Sequence, residues 1–162
     1  MSLNIKPVEP EVRKHNKIDH DTYKKVLHWE SVYTVDRLKE IFGDKYSKWF
    51  AFDTETDGLD YNELSIVGFS FSLDGKNGYY VPLRHSNDEN AEWETLDFIV
   101  DRIIKHPVVL MFNKKFDLNV LEVVEGYDLG YRWNVVDVQI AVWLRDTEMK
   151  TPSLKDSAEY FL

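Results

Sequence analysis

Residues 48–60 read KWFAFDTETDGLD. An apolar run ends abruptly in four acids, Asp53, Glu55, Asp57 and Asp60, spaced by threonines and a glycine. Carboxylates crowded at the end of a buried strand repel one another and lose hydration, which is costly unless a cation or water lies among them. Successive side chains of a strand alternate between faces, so Asp53 and Glu55 point the same way and are spaced to share a divalent ion. Asp57 and Asp60, beside Gly58, read instead as a solvated turn. An EF-hand loop beginning at Asp53 fails at its twelfth position, which is Leu64 where a bidentate Glu is required. A phosphoaspartate phosphatase motif fits poorly, because it requires Asp rather than Glu two residues after the nucleophile.

The segments around this strand set the architecture. TVDRLKEIFG (34–43) reads as a short helix with Thr34 as N-cap and Gly43 as the stop. ELSIVGFSFSL (63–73) alternates as a second strand, and LDGKNG (73–78) supplies turn chemistry before a third, YYVPL. The three strands form an antiparallel meander. From Trp93 the period changes to that of a helix, ended by Pro107. VVLMF (108–112) is a short apolar strand covered on both faces, followed by a helix to Gly126, a strand near RWNVV and a helix from Val138 to about Arg145. The Trp143 and Leu144 region reads as core packing. Meander first and alternation afterwards predict an α/β fold, a mixed sheet of three antiparallel and two parallel strands flanked by helices.

A second acid constellation lies in VVLMFNKKFDLNVL, where the strand runs into Asn113 and, four residues on, Asp117. Asn113 is expected to cap the following helix, with Asp117 in its first turn, where the helix dipole favours a carboxylate. Two neighbouring strands ending in acids at one sheet edge are what a two-metal phosphoryl-transfer site needs. Asp137 reads as the N-cap of the last-named helix, and His85 as a structural loop histidine.

Composition bounds the class. A chain of 162 residues with 43% hydrophobic and 30% charged residues is globular and about one domain. It contains no cysteine, which excludes disulfides and thiolate zinc sites. No apolar run approaches the roughly 20 residues of a membrane span, so no membrane role is expected and the protein is placed in the cytoplasm. The net charge of −9 argues against a free-standing nucleic-acid binder unless metal ions mediate the contact. Residues 1–31, with Pro7 and Pro10, read as a partly disordered lead-in or linker, and the folded domain is expected over 32–162.

FDTETDGLD, YYVPLRH, NKKFD, VVDVQIAVWLRD and SLKDSAEYFL resemble, in order and spacing, consecutive segments of the 3'-5' proofreading exonuclease domain of family A DNA polymerases, in the DEDD (DnaQ-like) superfamily. The likeness covers roughly residues 32–162. It implies a ribonuclease H-like fold with five strands, hydrolysis of the terminal phosphodiester of single-stranded DNA at its 3' end, and two Mg2+ or Mn2+ ions in the complete domain. It matches Asp53, Glu55 and Asp117 to catalytic metal-site acids. On the substrate side it matches Thr56, the apolar wedge Leu59 and the amide of Asn113.

The resembled family also carries a third motif, Tyr-x-x-x-Asp or His-x-x-x-x-Asp. HNKID places His15 four residues before Asp19, ahead of the first motif, and fits neither form. Pro152 and Ser153 open a helix with Asp156 as capping-box acid, and the chain stops on apolar residues. The expectation is therefore a monomeric front part of a longer phage or bacterial polypeptide, within a bacterial host cell, incomplete before the third motif and by itself nearly inactive, with a polymerase domain in the same parent chain. Two other readings stay open: a non-catalytic docking module on this fold, and an RNase D-like ribonuclease.

Overall fold

The computed structural model describes residues 28–44, 46–86, 89–148 and 153–161. Strands β1 (His28–Ser31), β2 (Phe50–Thr56), β3 (Ile66–Ser72), β4 (Asn77–Pro82), β5 (Val109–Met111) and β6 (Val135–Asp137) form one sheet in the order β1-β4-β3-β2-β5-β6. Helices α1 (Val35–Phe42), α2 (Glu94–Lys105), α3 (Lys114–Asn119), α4 (Val138–Arg145) and α5 (Leu154–Phe161) flank it, and α3 runs on through a π-helical turn, Val120–Val124.

The local signals behave as the chemistry requires. Thr34 Oγ1 accepts the Arg37 N–H at 3.3 Å, and Gly43, with φ of 60°, ends α1 in a conformation that costs glycine little. Strands β2, β3 and β4 are the antiparallel meander, turned between β3 and β4 by Asp74, whose Oδ1 accepts the N–H groups of Lys76 and Asn77, each at 2.8 Å. Strands β2, β5 and β6 run parallel, so all three point their carboxyl ends at one edge of the sheet.

One face of the sheet builds the core. Phe50 and Phe52 of β2 and Phe69 and Phe71 of β3 are buried against α1 and α2. Phe42 of α1 stacks on Phe71 at 5.3 Å and meets Phe50 edge-on at 5.6 Å. Each such ring removes apolar area worth about 1.5–3 kcal/mol, so the aromatic layer is a main stabiliser of the sheet's position. Because Phe50 and Phe52 face this core, alternation puts Asp53 and Glu55 on the other face.

Three expectations are corrected. The sheet has six strands rather than five: residues 28–31, read as lead-in, form β1, parallel to β4. HWES carries no alternating apolar pattern because an edge strand with both faces largely exposed needs none. Val32, which follows it, is 1% exposed and donates its N–H to the Tyr80 carbonyl at 2.8 Å. The second correction concerns α4, which buries none of its residues; Trp143 and Leu144, expected in the core, are 47% and 67% exposed. An apolar helical pattern requires some partner, but it does not say that the partner is among these elements. The third concerns Asn113, and is taken up with the site.

Candidate active site

The acids of β2 and the helix that follows β5 meet at the shared carboxyl edge. Strand β5 ends at Met111 while β2 continues to Thr56, so the last residues of β2 have no β5 partner alongside them. Asp117 fills that role. Its Oδ1 accepts the Thr54 backbone N–H at 2.9 Å and the Thr54 hydroxyl at 2.7 Å. A carboxylate only 1% exposed is thereby fastened to the strand that carries Asp53 and Glu55.

This proximity has an electrostatic cost. Burial, with the Thr54 bonds pulling the other way and the Asp53 charge adding to it, pushes Asp117 up to about 7. Burial and the neighbouring Glu55 charge push Asp53 up to about 6. Both directions are those of carboxylates short of a counter-cation, and a dication beside them reverses the sign of the problem. Among the described residues, no three His, Asp or Glu side chains are arranged to enclose a metal ion. The strand pair Asp53 and Glu55 is the oxygen donor set that remains, with Asp117 attached through Thr54.

Past Glu55 the ladder slips: Glu55 pairs with Gly68 but Thr56 with Ile66, leaving Val67 as a bulge. A bulge re-aims the strand that follows. The Thr56 hydroxyl donates to the Gly58 carbonyl at 2.7 Å, and Asp57 Oδ1 accepts the Ser65 N–H at 2.6 Å. Asp60 Oδ1 accepts the Asn62 N–H at 3.0 Å. Asp57 and Asp60 thus shape the turn, and between them in sequence Leu59 stands 82% exposed.

Asn113 does not cap α3. It lies in the left-handed region with φ of 61°, and its side chain makes no capping bond. Among the described residues it is the one non-glycine position with positive φ. Such a conformation costs on the order of 1 kcal/mol or more and is least costly for Asn and Asp. The cap comes from another strand: Asp137 Oδ2 accepts the Lys114 N–H at 3.2 Å, while its Oδ1 accepts the N–H groups of Gln139 at 3.0 Å and Ile140 at 3.3 Å. Asp137 is the N-cap of α4, as the sequence predicts, and also serves α3. The Asn113 side chain is exposed. Asp137→Ala is expected to cost about 2 kcal/mol, more than an ordinary cap because two helix starts lose an acceptor. Urea denaturation measures it; a loss below about 0.5 kcal/mol counts against the shared cap.

Thr54 and the second duty of Asp137 were not singled out by sequence reasoning. The signal for Thr54 was present, a hydroxyl between two strand acids, but its partner lies 63 residues away.

Comparison with known proteins gives a consistent picture. The sequence profile of the 3'-5' exonuclease family matches residues 29–162, from within β1 onward. DNA polymerase I of Borreliella burgdorferi is 27% identical over 158 residues, covering 91% of this chain; the chain spans 16% of that protein's length. Among solved structures, Brucella melitensis NrnC bound to pGG superposes with a TM-score of 0.56 at 19% identity, covering 84% of this chain and 59% of that one. The same protein with bound Mg2+ gives 0.52 at 19% identity, over 80% and 57%. Escherichia coli RNase D, an exoribonuclease involved in structured RNA processing, gives 0.50 at 16% identity, over 83% and 40%. These structures share the α/β fold. No helix among the described residues is long and apolar enough to cross a membrane.

Proposed function

This chain belongs to the 3'-5' exonuclease family, and we propose that it removes nucleotides from the 3' end of single-stranded DNA, as the proofreading domain of a polymerase I-like polypeptide. One observation carries the reading: Asp53 and Glu55 share a face at the sheet edge to which Thr54 fastens the buried Asp117. The 27% identity to DNA polymerase I supports DNA as the substrate and a polymerase domain as the partner in the same polypeptide. The net charge of −9 agrees, since a domain this acidic depends on basic surface elsewhere to hold a nucleic acid.

An all-oxygen donor set suits a hard divalent cation, and two mutually repelling carboxylates on one strand face fit Mg2+ or Mn2+. Bound there, such an ion supplies charge neutralisation at the scissile phosphate. The chain's own residues do the rest. Asp53 and Glu55 form the anionic floor that holds the cation. Asp117, fixed by Thr54, keeps a third carboxylate at the same edge without adding a mobile group. The exposed Leu59 stacks against a terminal base, a contact that tolerates any base but requires it unpaired. Asn113 presents its amide to the strand from its left-handed turn, and the Thr56 hydroxyl lines the same path.

End-labelled oligonucleotides test the reading. With Mn2+, a longer polypeptide that carries this domain together with the third motif is expected to shorten single-stranded or frayed 3' DNA ends faster than blunt duplex ends. Leu59→Ala is expected to slow single-strand digestion by roughly tenfold, the value of one base-stacking contact, without loss of the Mn2+ effect on stability. Equal rates on single-stranded and blunt DNA would sink the wedge, and preferential digestion of RNA would transfer the reading to a ribonuclease.

A further inference from the structure

A polar pair on the acid-bearing face of the sheet has no part in the site so far described. Tyr80 Oη and His85 Nε2 lie 2.7 Å apart, with the two rings edge-on at 5.7 Å. The registers place Tyr80 on the same face as both acids: Asp53 pairs with Ser70 and Ser70 with Tyr80, while Glu55 pairs with Gly68. An aromatic side chain reaches its diagonal neighbour on the next strand, and Tyr80 does so toward Gly68. A Cβ on Gly68 would overlap the Tyr80 hydroxyl and come within 2.7 Å of its Cζ. Glycine inside a strand gives up roughly 0.5–1 kcal/mol relative to alanine, and a close approach of another group is the usual reason to find it there. Here the absent side chain makes room for a phenol hydroxyl directly across from Glu55. The Glu55 charge is felt at the phenol, whose pKa is raised first by burial and then by that carboxylate.

The imidazole is itself held in place. The Asn90 side chain brackets the His85 backbone, Oδ1 accepting its N–H at 2.7 Å and Nδ2 donating to its carbonyl at 3.0 Å. The preceding residue, Arg84, is clamped on the Ile66 carbonyl at 2.9 Å and on Glu125 at 2.8 Å. A phenol has one proton and two lone pairs. The 2.7 Å contact suits either direction; in the tautomer whose His85 Nε2–H donates to the phenol oxygen, the phenol proton is free for a second acceptor.

We propose that Tyr80, held by His85, is a substrate contact of this site: its hydroxyl donates to a non-bridging phosphate oxygen of the 3'-terminal linkage where the strand lies against Glu55. The proposal rests on the exonuclease reading above. Tyr80 supplies the contact and His85 is a positioning residue that acts through it.

Fluorescence anisotropy tests it, using a 5'-labelled single-stranded thymidine hexamer with Mn2+, read at 4 °C before turnover. A second probe carries a neutral methylphosphonate at the 3'-terminal linkage. Tyr80→Phe is expected to weaken binding of the ordinary probe about tenfold, as for a hydrogen bond to a charged group, and to leave the methylphosphonate probe unchanged. His85→Ala is expected to give a smaller loss on the ordinary probe, His85→Gln to restore part of it, and the double variant to bind no worse than Tyr80→Phe alone. Wild-type-like binding by Tyr80→Phe overturns the proposal. So does an equal loss on both probes, which would mark a structural role. Failure of the wild type to bind the ordinary probe would instead overturn the exonuclease reading and the proposal with it.

Discussion

Denaturation of the chain in EDTA is expected to show Asp117→Asn more stable than the wild type at pH 8, by on the order of 3–4 kcal/mol, and nearly equal to it at pH 4. The folded state raises Asp117 from its ordinary 3.8 to about 7. Between those values the folded chain keeps a proton that the unfolded chain has released, so the contribution of this group to stability falls as pH rises. The cost is absent below about 4 and fully present above about 7. Asn preserves an oxygen to accept from Thr54 and carries no charge to bury. Asp53, raised to about 6, acts in the same direction. His106 acts in the opposite one: burial lowers its pKa, so its neutral form costs stability as pH falls. The difference between wild type and Asp117→Asn isolates the aspartate from the histidine. Mn2+ added to the wild type at pH 8 is expected to raise its stability, and Asp53→Ala to abolish that gain. A wild type and an Asn variant with parallel pH profiles would show that Asp117 ionises without penalty.

The largest expected effect is on catalysis. In Mn2+-dependent digestion of an end-labelled single strand by a longer polypeptide that carries this domain together with the third motif, Asp53→Ala and Asp117→Ala are each expected to lower the rate at least a thousandfold, about 4 kcal/mol of transition-state stabilisation. The double variant is expected to be little worse than either single one, because groups that act as a unit fail together. Thr54→Val distinguishes placement from charge. It deletes the 2.7 Å hydroxyl bond but keeps the 2.9 Å bond from the backbone N–H, so Asp117 stays at the edge with looser orientation. Its rate is expected to drop roughly tenfold, between wild type and the acid deletions. Multiplicative losses in the Asp53→Ala, Asp117→Ala double variant would show two independent sites at this edge rather than one.

Features that depend on near neighbours are legible in the order of residues alone. The alternation Phe50, Ala51, Phe52, Asp53, Thr54, Glu55 allows only one arrangement with the rings in a core, and that arrangement alone puts both acids on the opposite face. Thr34 and Gly43 bounded α1, Asp74 and Gly75 turned the meander, and Ser153 with Asp156 opened α5 through a 3.0 Å capping bond. These signals act over a few residues, so spacing is enough to read them. Other features arise from contacts between distant segments. Thr54 and Asp117 are 63 residues apart, and Asp137 reaches Lys114 across 23. Neither pairing has a periodicity or a cap signature of its own. Asn113 shows why this matters: by local rules a residue of its type before a helix is a cap, but it turns left-handed and makes no capping bond, while a carboxylate from the neighbouring strand takes the first helical N–H, that of Lys114. Edge pairing of β1 and exposure of α4 follow the same logic, because a backbone edge or an apolar helix face specifies the kind of contact it needs and not which segment supplies it.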